Sequence, residues 1–207
     1  RNRCGQESSW AGAGILSPLL PWDYPDAVTQ LTQLSNQLYP EFIEAVRTET
    51  GIDPEYQATG MLVLTEQCSE PEARRLDARI RVAQAWCARF NFPMSRVRSH
   101  EVASALSHDA AALWLPSVCQ VRNPRLLQAL MKAVELRGGV IVEDTEATRW
   151  NMAGGRVESV STSRGEDHAA ANYVVTAGAW SGRLLHQLAL KLDIWPVRGQ
   201  ILLFRAD

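Results

Sequence analysis

Clustered metal-binding and redox residues are missing from this sequence. The four cysteines, Cys4, Cys68, Cys87 and Cys119, form no CxxC pair, and their spacings match no zinc pattern. The four histidines, His100, His108, His168 and His186, are scattered, and His100 and His108 sit in polar surroundings. No metal site is expected, and the thiols read as reduced, which points to the cytoplasm. Charge of one sign is equally lacking. Twenty-one Lys and Arg against 23 Asp and Glu leave a net charge of −2, which excludes a basic nucleic-acid footprint. No apolar run reaches the roughly 18 residues that a membrane span needs; the candidates near Val174 and Ile201 are strand-sized. No apolar h-region opens the chain, so no secretory signal is expected. What remains is an ordinary globular composition, 46% hydrophobic over 207 residues, sufficient for a buried core.

Periodicity supplies the elements. From Ala27 to Glu49 apolar residues recur at Val28, Leu31, Leu34, Leu38, Phe42, Ile43 and Val46, the steps of an amphipathic helix. Pro40 predicts a kink, or a break near Leu38, and Gly51 a stop. Gly60 to Thr65 reads as a strand, Glu70 to Phe90 as a helix, Ser99 to Leu106 as a shorter one, and Ala112 to Leu115 as a strand. Asn123-Pro124 is a helix start, and Gly138-Gly139 its end. The period then becomes two. Val140 to Glu143 reads as a strand, and Ala147 to Asn151 with Val157 to Thr162 flank a turn at Ala153-Gly154-Gly155. Tyr173 to Thr176 is apolar throughout, as a strand of a doubly covered parallel sheet would be. Gly178 to Ser181 turns the chain into a helix through Leu190, and Ile194 to Phe204 reads as a last strand. The expected class is mixed α and β, with a parallel and an antiparallel module intertwined.

Two stretches of small residues carry the functional signal. Glu7 to Leu16, ESSWAGAGIL, is poor helix and poor strand. Val174 to Gly182, VVTAGAWSG, runs from an apolar strand through a bare turn into a helix, the position at which α/β sheets take ligands. Together with Pro196 to Gln200, PVRGQ, with the segments around Tyr39-Pro40 and Thr50 to Glu55, and with the strand TGMLVL, these stretches stand in an order that resembles the D-amino-acid oxidase superfamily of flavoenzymes. Within it the resemblance is to the bacterial glycine oxidases of thiamine biosynthesis, and it covers the whole chain.

The resemblance implies an α/β fold, α+β in its mixture: an incomplete FAD-binding, Rossmann-like module over 1–22 and 123–190, intertwined with an antiparallel-sheet substrate module over 23–122 and 191–207. It implies FAD as cofactor, a small amino acid or amine as substrate, oxygen as acceptor, a homo-oligomer, and no nucleic acid. Ser8 and Ser9 match positions facing the cofactor phosphates; Ala13, Gly14 and Ile15 match positions beside the isoalloxazine ring. Ala147 matches an adenine contact, and Ala177 and Gly178 a turn packed near the cofactor. Trp10 is open between a wall of the site and a core aromatic. Met61 reads as packing, and Arg198 as structural or interdomain. The family's GxGxxG loop and its substrate-carboxylate arginine have no counterpart here, so the chain is expected to be a middle fragment, inactive and free of flavin by itself. No catalytic residue is expected, because an amine that binds neutral needs no side-chain base. Sarcosine-oxidase-like or D-amino-acid dehydrogenase activity is the alternative within the family, and a cofactor-free binding or assembly module the alternative outside it.

Overall fold

In a computed structural model of the protein, residues 3–17, 20–65 and 70–199 are described, with side chains omitted at 70–77. Cys68, the charged face drawn by Glu72 to Asp77, and the stretch of the last predicted strand from Gln200 to Phe204 lie outside that description. The chain divides into two compact units: residues up to Ala11 with those from Gly139 onward, and Gly12 to Gly138. The first unit contributes a single helical turn at its start, α1 (Ser8–Ala11).

The unit from Gly12 to Gly138 opens with a 3-10 turn at Pro21–Asp23 and then builds α2 (Asp26–Thr50). Pro40 lies inside α2, which runs unbroken past it and ends at Gly51, left-handed at φ 72° with its N–H donated to the Arg47 carbonyl. Glycine holds that conformation without a Cβ penalty. β1 (Met61–Leu64), α3 (Glu70–Arg89), β2 (Ser95–Arg98), α4 (Ser99–Val102), β3 (Ala111–Leu115) and α5 (Asn123–Leu136) follow. The sheet order is β1-β3-β2, antiparallel throughout, with Met61 opposite Leu115 and Ser95 opposite Trp114. One core joins Ile80 and Ala83 of α3 to Leu113, Leu115 and Val118, with Trp22, Met61 and Phe92 against it. A second joins Ile43 of α2 to Val121 and Leu126, flanked by Tyr39 and Tyr56. Met61 therefore packs, as its position predicts. The Glu49–Arg137 ion pair at 2.7 Å ties α2 to the end of α5. Ser99, fully buried, accepts the Ala110 N–H on its hydroxyl and donates its own N–H to the Ala110 carbonyl, so its polarity is spent inside the chain.

The other unit carries the hairpin β4 (Ala147–Ala153) and β5 (Arg156–Thr162) with a short third strand, β6 (Asp167–Ala169), all antiparallel. Gly154 and Gly155 both have positive φ, 56° and 76°, the requirement of a two-residue type I′ turn. A 3-10 turn at Gly178–Trp180 leads into α6 (Ser181–Leu185) and a second 3-10 turn to Leu188. Trp150 is the plug between these parts: buried, its indole N–H donates to the Leu184 carbonyl at 3.0 Å and its ring meets Tyr173 edge-on.

The mixed α/β class stands, and both described sheets are antiparallel. Three predicted strands differ. Val140 to Glu143 and Tyr173 to Thr176 are irregular, as are residues 194–199 of the last one. Their composition favours extension, but a strand exists only with a neighbour to complete its ladder. Among the described residues no strand runs beside them, and Val140 and Val174 are each 84% exposed. The predicted helix from Ser99 to Leu106 shortens to one turn, because Asp109 accepts the His100 N–H and folds the following loop back on it. β2 and β6 escaped the sequence reading. Ser-Arg-Val-Arg and Asp-His-Ala are short and polar, and only their partners make them strands.

Candidate functional site

Within the unit that holds the hairpin, the turn after Tyr173 shapes an open groove of about 620 Å³. One wall is main chain and small side chains, from Val175 and Thr176 to Gly178 and Ala179; the other is the extended run from Ile194 to Val197; Ser8 of α1 completes it. Gly178 takes φ +54°, and a Cβ there would meet nothing within 4 Å. Conformation, not crowding, selects glycine at that position. Trp195 is 69% exposed, an indole face with no core to fill. The lining polar side chains are hydroxyls and indoles, those of Ser8, Thr176 and Ser181 among them, and among the described residues no lysine or arginine lines the groove. A flat apolar surface with bare backbone beside it suits a planar ring. To a diphosphate, which calls for cations or a row of free backbone N–H groups, its described lining offers as polar side chains only hydroxyls, that of Ser8 among them, and indoles.

Of the eight residues predicted to touch the cofactor, Ser8 and Gly178 line this groove. Ser9 and Ala177 are exposed next to them in sequence, and Ala147 is exposed at the start of β4. Trp10, 44% exposed, is no core aromatic. Arg198 is exposed in the irregular run after Val197. Trp195 is the lining residue that sequence reasoning passed over. It stands immediately before the PVRGQ stretch, and an indole in an otherwise strand-like run was the available signal.

Ala13, Gly14 and Ile15 belong to the other unit, and their geometry has a local cause. Ile15 bridges Gln120 in antiparallel fashion, Leu16 donates its N–H to the Cys119 carbonyl, and Val121 donates to the Gly14 carbonyl at 2.9 Å. Gly14 is buried at φ +76°, and a Cβ on it would fall 1.9 Å from the Val121 oxygen. Its bareness is therefore required by the chain's own backbone, while Ala13 and Ile15 on either side remain exposed. Beside this ribbon the Tyr56 hydroxyl donates to Cys119 Sγ at 3.2 Å. That hydrogen bond, with partial burial, pushes the phenol up to about 12, so Tyr56 is neutral at physiological pH. Buried in the α3 core, the Cys87 thiol is pushed up by desolvation, which makes it an inert packing group. Among the described residues no group of three or more His, Cys, Asp or Glu is placed to hold a metal ion.

The family described as FAD dependent oxidoreductase matches residues 1–207. The chain is 39% identical over 211 residues to a glycine oxidase of Pseudomonas putida, covering 97% of this chain and 53% of that protein. It is 37% identical over 210 residues to a glycine oxidase of Pseudomonas aeruginosa, covering 99% and 54%. The crystal structure of glycine oxidase from Geobacillus kaustophilus superposes with a TM-score of 0.78 at 26% identity, over 93% of this chain and 51% of that one. The chain thus spans about half the length of the curated relatives it matches. With the match running from the first residue to the last, the chain belongs to the FAD dependent oxidoreductase family.

Proposed function

We propose that the protein containing this chain is an FAD-dependent oxidase that deaminates glycine or another small amino acid, with dioxygen as electron acceptor, in the cytoplasm and as a homo-oligomer. The observation that carries the reading is whole-chain identity of 37–39% to two proteins named glycine oxidase. The groove, with no cation in its described lining and with an exposed indole, supports it. In this reading residues 1–22 and 123–190 serve the cofactor, and 23–122 and 191–207 the substrate.

Bound FAD supplies the hydride acceptor for oxidation of the substrate's carbon–nitrogen bond. The chain's own residues bind and orient. The backbone from Thr176 to Gly178 and the Trp195 face hold a planar part of the cofactor and keep water from it. The Ser8 and Ser9 hydroxyls serve the phosphates as hydrogen-bond donors. Ala147 presents its backbone to the adenine. Ala13 and Ile15 would lie against the ring, and Gly14, where a Cβ would fall 1.9 Å from the Val121 oxygen, would contribute main chain alone. No side chain here is assigned a proton transfer.

The test uses the full-length protein. It should purify with the visible absorbance of a flavin and release hydrogen peroxide with glycine, less with sarcosine, and little with bulkier D-amino acids. A protein that neither carries nor takes up FAD overturns the reading. Oxidation with no turnover of oxygen moves the assignment to a dehydrogenase.

A further inference from the structure

Three polar atoms inside the unit from Gly12 to Gly138 are buried without a match. The indole N–H of Trp22, the hydroxyl of Thr29 and the indole N–H of Trp86 are closed off from solvent, and none has a hydrogen-bond partner among the described residues. Thr29 as a whole is 2% exposed. A buried polar group left unpaired is destabilising, and native chains pair nearly all of theirs. The burial is made by this chain's own residues, so it does not depend on any further segment.

The three atoms belong to one junction. Asp26, Thr29 and Gln33 share a face of α2. Asp26 holds Arg89, and Gln33 donates to the Phe90 carbonyl at 3.1 Å. Thr29, between them, therefore faces the end of α3. Trp86 stands one turn before Arg89 and Phe90 on α3, its ring centroid 5.2 Å from that of Phe90 and 5.4 Å from that of Phe92. Trp22, in the 3-10 turn that leads into α2, packs with Phe92 against the core of Ile80 and Ala83, and its neighbour Asp23 takes Arg79 at 3.2 Å. Turn, helix and helix thus bring two indoles and a hydroxyl to the same corner.

We propose that this corner binds one internal water molecule, which bridges Trp22 Nε1, Thr29 Oγ1 and Trp86 Nε1 and so joins α2 to α3 from within. The donor count supplies the reason. An indole N–H only donates, so the two tryptophans cannot satisfy each other. A water accepts both indole protons and donates one of its own to Thr29 Oγ1, three bonds, the usual number for a buried water. Charge decides against other small occupants. A metal ion or an ammonium would meet N–H donors where it needs acceptors. A buried chloride needs a cation, and the guanidiniums at the junction are spent, Arg79 on Asp23 and Arg89 on Asp26. The direct link from Asp26 to Arg89 is solvent-exposed, which leaves the interior of the junction to the water.

The inference rests on the α2–α3 junction and does not need the oxidase reading. It is tested on the full-length protein. A high-resolution crystal structure should show one ordered water within hydrogen-bond distance of all three atoms. Thermal melting, with circular dichroism checking the fold of each variant, gives the second measurement. Thr29→Val keeps the shape of the side chain and removes the bridge, so the melting temperature should fall by about 2 °C or more. Without the water, the same substitution exchanges an unpaired hydroxyl for a methyl group, and the melting temperature holds or rises. Trp86→Phe should lower the melting temperature less in the Thr29→Val background than in wild type, because the bridge is already broken there. A junction that lacks the water, a water that reaches only one of the three atoms, a Thr29→Val variant that melts at or above wild type, or full additivity of the two substitutions overturns the proposal.

Discussion

At the scale of single residues, two glycines of the small-residue stretches have opposite causes, and substitution separates them. Gly14→Ala drives a Cβ into the Val121 carbonyl and strains a positive φ; equilibrium urea unfolding should show a loss of about 3 kcal/mol. Gly178→Ala meets nothing, and only its φ is strained, so the loss should be about 1 kcal/mol. A flavin-loaded protein compared across the same pair reports whether the open space at Gly178 is used by a ligand. Tyr56 gives a pH test. Its hydrogen bond to Cys119, then burial, raises its titration from 10.0 to about 12. The folded state therefore holds a proton that the unfolded state releases. Its contribution is complete below pH 10 and is lost as pH rises towards about 12. Cys119→Ala should bring the phenolate absorbance transition down toward the ordinary tyrosine range, and a titration unchanged by it would contradict the assigned cause. Both glycines stand out in the sequence as bare positions, but not the reason for Gly14, since its neighbour Val121 is distant along the chain.

At the scale of elements, Trp150 joins the hairpin to the helical turns. The Trp150 N–H donates to Gln187 Oε1, Gln187 Nε2 donates to the Thr148 carbonyl at 3.0 Å, and the indole donates to Leu184. Trp150→Ala should cost about 3–5 kcal/mol and Gln187→Ala about 1 kcal/mol. Hydrogen exchange should place the loss in β4 and 181–188, leaving β1 to β3 unchanged. Elements with their own local grammar were readable in the sequence: Asn123-Pro124 opening α5, Gly51 closing α2, and Gly154-Gly155 turning the hairpin all fall where predicted. Elements that owe their state to a distant partner were not. β2 is alternately charged and becomes a strand because β3 lies beside it. Tyr173 to Thr176 has the stronger β composition and is irregular, with no strand beside it among the described residues. Pro40 was a weaker breaker than expected, with helix on both sides and its ring exposed.

At the scale of the whole molecule, the groove lining offers no cation among the described residues and the sequence no GxGxxG loop. These 207 residues expressed by themselves should purify colourless and bind FAD no more tightly than free riboflavin, measured by flavin fluorescence quenching. Tight binding, with spectral perturbation, would mean that the diphosphate finds its partners within this chain. Family and fold class were legible in the sequence as a whole. The packing that closes the Gly14 ribbon and the groove wall at Trp195 came only with three dimensions.

The strand order β1-β3-β2 also sets a timetable for synthesis. Among the described residues β1 and β2 share no ladder with each other, and each pairs with β3 alone. A ribosome that has already released Met61–Leu64 must add α3 and a further strand before Ala111–Leu115 can emerge to receive them. Until then the apolar run Met-Leu-Val-Leu has no edge to join. Completion of this sheet thus waits on a single five-residue segment, the last of its three strands to be made.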